Sequence, residues 1–205
     1  MATSRPVKTI ANFKSQLVGG GARPNLFEVE MATLPDGISW PENAKNSFTY
    51  LCKAATLPAS NIAQIDIPFR GRIFKVAGDR TVEPWSVTVI NDENFQIRNA
   101  MEQWVEKMAK LSDNIGNVNP NAYMVNAKVF QLGRGSSPGT AGNTAVDAGT
   151  DNSVLKEYEF IDIFPTAVSP IDLSYDSSDA IEEFTVTFQV QYINSSTFND
   201  DGTIA

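Results

Sequence analysis

The chain contains no histidine and only one cysteine, Cys52, in 205 residues. The first absence removes the commonest general base, the Ser–His and Cys–His nucleophile pairs, and most zinc chemistry. The second rules out an internal disulfide and fits a chain that folds in a cytoplasm. Positive charge is also scarce, with 16 Lys and Arg against 24 Asp and Glu and a formal net charge of −8. Tight nucleic-acid binding relies on a basic footprint, so this balance argues against it. It does not argue against a protein that DNA passes without sticking. No apolar run approaches the ~20 residues that span a bilayer, so no membrane partner is expected. The opening stretch MATSRPVKTIANFKSQLV lacks the uninterrupted apolar core of a signal peptide.

What is present is a globular composition, 42% hydrophobic, in a chain long enough for one well-cored domain with extensions. Its organising stretch is Gly71 to Leu111. Trp85, Val87 and Val89 alternate with Ser86 and Thr88, the period of a half-buried strand. Asn91-Asp92-Glu93 reads as a strand-to-helix junction with Asp92 as N-cap. Ile97, Met101, Trp104, Val105, Met108 and Leu111 then fall on one helical face. This is the only long helical period, so one amphipathic helix is expected to dock on a sheet, with the rest strand or loop.

Residues 1–22 read as a polar arm. Ile10, Phe13 and Leu17 allow a short amphipathic helix, and Gly19-Gly20-Gly21 makes a flexible joint. A first strand spans Asn25 to Met31. Residues 34–46 read as a surface loop, and the alternation of Phe48, Tyr50 and Cys52 as a second strand. Ile62 to Val76 reads as a long hairpin with its tip near Arg70, and Pro68 puts part of it at an edge or a bulge. Met124–Leu132, Val154–Phe164, Ile171–Tyr175 and Ala180–Ile193 complete the strands. Residues 133–152 are low in complexity and too poor in apolar surface to order themselves. The tail, 194–205, is polar. Eight or nine strands with one helix indicate an antiparallel sandwich or barrel.

Motifs of chemistry are missing. The GGGAR at Gly19 has no preceding strand, and the GRGSSPG at Gly133 lacks the lysine and hydroxyl of a phosphate loop. The acidic runs at Asp176–Asp179 and Asn199–Gly202 lack the spacing of a calcium hand, and turn chemistry explains them better. Glu159 and Asp162 point to opposite faces of a strand. No catalytic residue, metal ligand or cofactor is therefore assigned, and an enzyme is the least favoured reading. Arg70, Arg72 and Arg80, interleaved with Phe69 and Phe74, suit a protein interface.

Several runs, in order, resemble a known family. They are Ala22-Arg23-Pro24-Asn25-Leu26-Phe27, Cys52-Lys53-Ala54-Ala55-Thr56-Leu57-Pro58, Val76-Ala77-Gly78-Asp79-Arg80-Thr81, Trp85-Ser86-Val87-Thr88-Val89 with Asn91-Asp92-Glu93, Phe164-Pro165-Thr166, and Glu183-Phe184-Thr185-Val186-Thr187. The sequence is similar to T4-like contractile-phage tail tube proteins over residues 22–193, with apparent insertions at 34–46 and 133–152.

That resemblance implies a mainly β fold, two packed antiparallel sheets with one flanking helix, spanning 23–193. It implies homohexameric rings stacked into a tube inside a contractile sheath. The partners are then other copies, the tail sheath protein, the baseplate tube-initiator and the tail terminator. The tape-measure protein and double-stranded DNA occupy the channel, in a virion assembled in the host cytoplasm. Ring stacking falls to Arg23, Phe69, Arg70 and Arg72. Glu183, Thr185, Thr187, Gln189 and Gln191 are candidates for the lumen, where an acidic wall repels phosphates over about 8 Å at physiological salt. Glu102 and Glu106 are candidates for the sheath side. Two rivals stand beside this reading: a tube-initiating baseplate or secretion-tube component of the same fold, and a glycan-binding virion β-sandwich using Trp40 and the 133–152 loop.

Overall fold

The computed structural model describes residues 8–17, 21–113, 115–134, 154–176 and 179–197. The elements in chain order are α1 (Ile10–Gln16), β1 (Phe27–Glu30), α2 (Glu42–Leu51), β2 (Cys52–Ala55), β3 (Ser60–Phe69), β4 (Arg72–Val82), β5 (Trp85–Ile90), α3 (Gln96–Met108), a 3-10 turn at Pro120–Ala122, β6 (Val125–Leu132), β7 (Val154–Val168), β8 (Glu183–Gln189) and β9 (Tyr192–Thr197). A seven-stranded sheet runs β1-β6-β7-β8-β5-β2, with β9 on β7, and a second sheet is the β3–β4 ribbon alone. The mainly β architecture with two antiparallel sheets is as expected. The chain forms two compact units: the described residues of 29–128 and 159–194, and those of 1–28, 129–158 and 195–205.

The larger unit is built around β5 and β8. Trp85, Val87 and Val89 are buried, as are Phe184, Val186 and Phe188. The antiparallel register sets Trp85 opposite Phe188, Val87 opposite Val186 and Val89 opposite Phe184. The period of two thus stacks two apolar faces into one. Trp85 packs on Phe160 at 4.7 Å and on Phe188 at 5.2 Å. Its indole N–H finds no acceptor among the described residues. α3 covers this cluster with Ile97, Ala100, Met101 and Trp104, all buried. Trp104 reaches Phe188 and donates its N–H to the Tyr123 carbonyl at 2.7 Å. The stripe is narrower than the sequence implied. Val105 is partly exposed, and Leu111 lies beyond the helix, in water.

Further expectations are overturned by the backbone. The end of the loop expected over 34–46 and most of the second strand expected at Phe48–Cys52 form a second long helix, where only one was expected: α2 runs from Glu42 to Leu51, and β2 starts only at Cys52. Ala44 and Phe48, one turn apart, are its buried pair, while Tyr50 stands out in solvent. Pro41 sits at its N-cap and makes no side-chain cap, while Glu42 in the first turn suits the helix dipole. The N-cap of α3 is Phe95 in the left-handed region (φ 54°), with no side-chain cap. Asp92 lies three residues too early, and its carbonyl accepts from the Phe95 amide instead. The strand expected over Ala180–Ile193 is two, β8 and β9, broken at Val190 and Gln191. The chain at Ile171–Tyr175 is loop, and β7 instead continues to Val168. It passes Pro165 because the register shifts there, leaving Thr166 as a bulge whose hydroxyl donates to the Thr187 carbonyl.

In the smaller unit, α1 forms at the helical spacing of Ile10 and Phe13, is capped by Thr9 and buries none of its residues. Gln131 donates to the carbonyls of Arg23 and Leu26 at 2.8 and 2.7 Å. These two hydrogen bonds pin the segment entering β1 to the end of β6. The 135–153 stretch, with the low-complexity segment, and residues 18–20 and 198–205 lie outside the described residues.

Candidate functional site

The β3–β4 ribbon is the long hairpin the sequence announced. Arg70 (φ 46°) and Gly71 (φ 82°) form its tip, between Phe69 and Arg72. Two successive left-handed residues match the right-handed twist of the flanking strands. The register pairs Ile65 with Val76, Ile67 with Phe74 and Phe69 with Arg72, so these six share one face. The other face carries Asp66 with Lys75 and Pro68 with Ile73. Every residue of β3 is exposed, as is all of β4 except Gly78 and Val82. One face of the ribbon is therefore an apolar stripe open to water, tipped by arginine.

Two details shape this ribbon. The Arg70 guanidinium lies 5.6 Å from the centre of the Phe69 ring, a cation–π contact that holds both at the tip. Between Ile62 and Gln64 the register shifts, and Gly78 sits at that bulge. A Cβ on Gly78 would meet the Ala63 carbonyl oxygen at 3.1 Å and Ile65 Cγ1 at 3.2 Å. Glycine here lets the two backbones close up.

A second candidate surface is the polar face of β5 and β8. Thr185 and Thr187 come opposite Thr88 and Ser86. Their hydroxyl oxygens lie 3.1 Å and 3.5 Å from those partners. Glu183 closes the row with an ion pair to Lys53 on β2, 2.6 Å apart. Gln189 continues the face, whereas Gln191 lies past the end of β8. The face is a ladder of hydroxyls with one neutralised ion pair at its rim. Ser86 and Thr88 belong to it and were not singled out as site residues. Their alternation on β5 was visible, but which strand they lie beside is not encoded locally.

The structure does not bring all the expected residues together. Phe69, Arg70 and Arg72 share the ribbon tip, while Arg23 belongs to the other compact unit. Glu102 pairs with Arg98 at 2.8 Å. The carboxylate of Glu106 accepts from the Leu111 amide at 3.3 Å, helping to fold the turn after α3. That turn exposes Leu111, Ile115 and Val118. Trp40 is half-buried. It packs edge-on against Phe48 and donates to the Met31 carbonyl at 3.0 Å. Among the described residues, no three His, Cys, Asp or Glu side chains are placed to hold a metal ion. Burial pushes the Cys52 thiol from its ordinary 9.0 up to about 12, so it stays protonated.

Comparison with known proteins decides what these surfaces belong to. A family model described as phage tail tube protein matches residues 22–195. The chain belongs to the phage tail tube protein family. It is 36% identical over 174 residues to the tail tube protein gp19 of Enterobacteria phage T4, covering 85% of this chain and 91% of that protein. The corresponding protein of Enterobacteria phage T6 is 35% identical over the same length and shares. Among solved structures, a chain of the anti-feeding prophage baseplate superposes with a TM-score of 0.55 at 9% identity, over 85% of this chain and 95% of that one. A chain of the extended sheath-tube complex of an extracellular contractile injection system, PVC, gives 0.51 at 14% identity, over 89% and 97%. At such identities the structural likeness speaks for the fold. The tail tube match begins at Ala22, after α1, and takes in the ribbon, the hydroxyl ladder and α3.

Proposed function

We propose that this chain is the repeating subunit of the inner tube of a contractile phage tail. It assembles as hexameric rings that stack into a conduit for double-stranded DNA. The observation that carries the reading, beside the family, is the ribbon. An isolated two-stranded hairpin is at best marginally stable in water. This one extends 10 and 11 residues per strand and leaves five large apolar side chains of one face exposed. Among the described residues, the seven-stranded sheet also ends on two unpaired edges, β1 and β2. Edges and apolar face alike are surfaces that a second copy covers, and ring closure removes the aggregation hazard they pose.

Within this reading, Phe69, Arg70 and Arg72, with Arg23, make contacts between rings. The face carrying Glu183, Thr185, Thr187 and Gln189 lines the channel, with Gln191 at its end. A wall of hydroxyls whose one cation is paired offers passing phosphates hydrogen bonds but no free positive charge to hold them. Glu102 and Glu106 lie on the side of α3 turned to the sheath protein. Initiator, terminator and tape-measure proteins meet the tube at its ends and in its bore. The tube forms part of the virion and is assembled in the host cytoplasm.

Electron microscopy of the purified chain, alone at high concentration or seeded on baseplates, is the direct test. Rings or tubes are expected, and persistent monomer under all these conditions refutes the reading. Deleting residues 1–20 should block stacking while leaving circular dichroism unchanged; normal tubes would remove the arm from the stacking contact. Thr187→Lys with Gln189→Lys should slow DNA ejection, and unchanged kinetics would move the channel wall elsewhere.

A further inference from the structure

The ribbon tip has an uncompensated charge. Between Ser60 and Val82 the chain carries four cations, Arg70, Arg72, Lys75 and Arg80, against two carboxylates, Asp66 and Asp79, in a protein whose overall balance is negative. Lys75 is answered by Asp66 at 3.5 Å. Arg70 and Arg72 have no carboxylate partner among the described residues. Arg70 also occupies a left-handed position (φ 46°) at which Asn or Gly is the ordinary choice. An apolar face ending in two free arginines needs a surface that is both apolar and acidic.

Among the described residues, two loops each expose three large apolar side chains and are available on another copy. The turn after α3 presents Leu111, Ile115 and Val118, but its charges, Lys110 and Asp113, cancel. The connection from β7 to β8 presents Leu173, Tyr175 and Ile181, all strongly exposed. From Ser169 to Glu183 it holds five carboxylates and no cation. Glu183 and Glu182 are engaged, by Lys53 and by the Asn91 amide. Asp172, Asp176 and Asp179 meet no cation among the described residues. Charge therefore selects between the two loops.

We propose that the ribbon tip of one subunit docks on the β7–β8 loop of a second copy. Phe69 and its neighbours on the apolar face cover Leu173 and Tyr175, and Arg70 and Arg72 meet the carboxylates of Asp172 and Asp176. This rests on the tube reading and names the two surfaces that recognise each other. Because the pairing is charged and peripheral, it sets register between copies and weakens as salt rises.

The test is a charge swap in the full chain, followed by pelleting and electron microscopy to measure the lowest concentration that gives tubes. Arg70→Glu with Arg72→Glu, and separately Asp172→Arg with Asp176→Arg, should each raise that concentration about tenfold or more, since like charges then face one another. All four changes together should bring it back to within about threefold of the unmodified chain, the wrong signs having become matched again. Circular dichroism melts confirm that each variant folds; all four positions are exposed. Tubes from every double variant at the unmodified concentration, or no rescue in the combined variant, overturn the pairing while tubes of the unmodified chain still stand. No tubes from the unmodified chain overturn the tube reading itself. Oxidative cross-linking supplies a second measurement. Arg72→Cys with Tyr175→Cys should give cross-linked ladders of the assembled chain. Arg72→Cys with Val118→Cys should not, and the reverse result assigns the tip to the other loop.

Discussion

The apolar face of the ribbon makes the strongest quantitative prediction. Ile67 and Phe74 face each other across its two strands, with 46% and 64% of their surfaces exposed. Fully burying such a side chain yields about 1.5–3 kcal/mol. Roughly half of that surface is still open, so docking on another copy returns about 1 kcal/mol from each residue. Replacing both by threonine keeps strand propensity and removes most of this gain. The loss of about 2 kcal/mol corresponds to roughly a 30-fold rise in the concentration needed for assembly. The subunit itself should hardly notice. Exposed substitutions usually stay within about 0.5 kcal/mol, and the melting temperature should shift by no more than ~2 °C. Sedimentation across a concentration series, paired with a thermal melt of the unassembled chain, reads both numbers. Unchanged assembly would show that this face stays wet in the particle. A fall of 10 °C would show that it is packed in the subunit after all, and would undo the argument from exposure.

The other predictions follow from the interior and the backbone. Phe188→Ala empties a fully buried site against Trp85 and Trp104 and should cost about 3–5 kcal/mol, seen by calorimetry as a drop of roughly 10 °C. Gly78→Val forces a side chain onto the Ala63 carbonyl and Ile65 and should strain the ribbon by about 1–3 kcal/mol. Tubes should be lost while the core still melts near its normal temperature, and a melting point lowered in step with assembly would tie the ribbon to the core. The Cys52 thiol keeps its proton up to about 12 when folded but loses it above 9.0 when unfolded. Its contribution is therefore complete below 9.0 and declines as pH rises from there, by at most ~1.4 kcal/mol per unit. Denaturant titrations at pH 8, 9 and 10 should show a shallower decline for Cys52→Ala, and parallel declines would mean the thiol is solvated.

How much of this was legible in the chain depended on whether one local period decided the environment. β5 and β8 were legible because each alternates cleanly and buries one whole face. α3 was legible because Ile97, Met101 and Trp104 repeat at helical spacing. α2 was not. Its buried pair, Ala44 and Phe48, is too narrow a stripe to outweigh the alternation of Phe48, Tyr50 and Cys52, and only the fold shows Tyr50 pointing to water. The break after β8 was hidden for a similar reason, since apolar alternation continues through Val190 and Tyr192 while the backbone leaves β8 and starts β9. The strand expected to end at Phe164 runs past Pro165 to Val168, because a bulge at Thr166 within β7 absorbs the irregularity. The candidate surfaces divide along the same line. The Arg70-Gly71 tip is a local turn signal, and the sequence placed it. The apolar stripe and the hydroxyl ladder are products of register, which sets Ile65 against Val76 and Thr88 against Thr185, and register is fixed by partners far along the chain.

Register also explains why the ribbon suits assembly. A flexible loop carrying the same side chains would have to order on docking, at about 1–2 kcal/mol for each residue fixed. Here the two-residue tip and the bulge at Gly78 already fix which side chains share a face. The pairing of β3 with β4 therefore meets part of the ordering cost within the ribbon, and less of the energy of contact is spent on ordering than for a loop. The same logic predicts where affinity is lost: changes that leave the ribbon's composition intact but slip its register by one residue turn the apolar stripe away from the partner. Deleting Gly71 should therefore damage assembly more than replacing Ile67 alone, although it removes no side chain, and equal effects would mean that composition, not register, governs the contact.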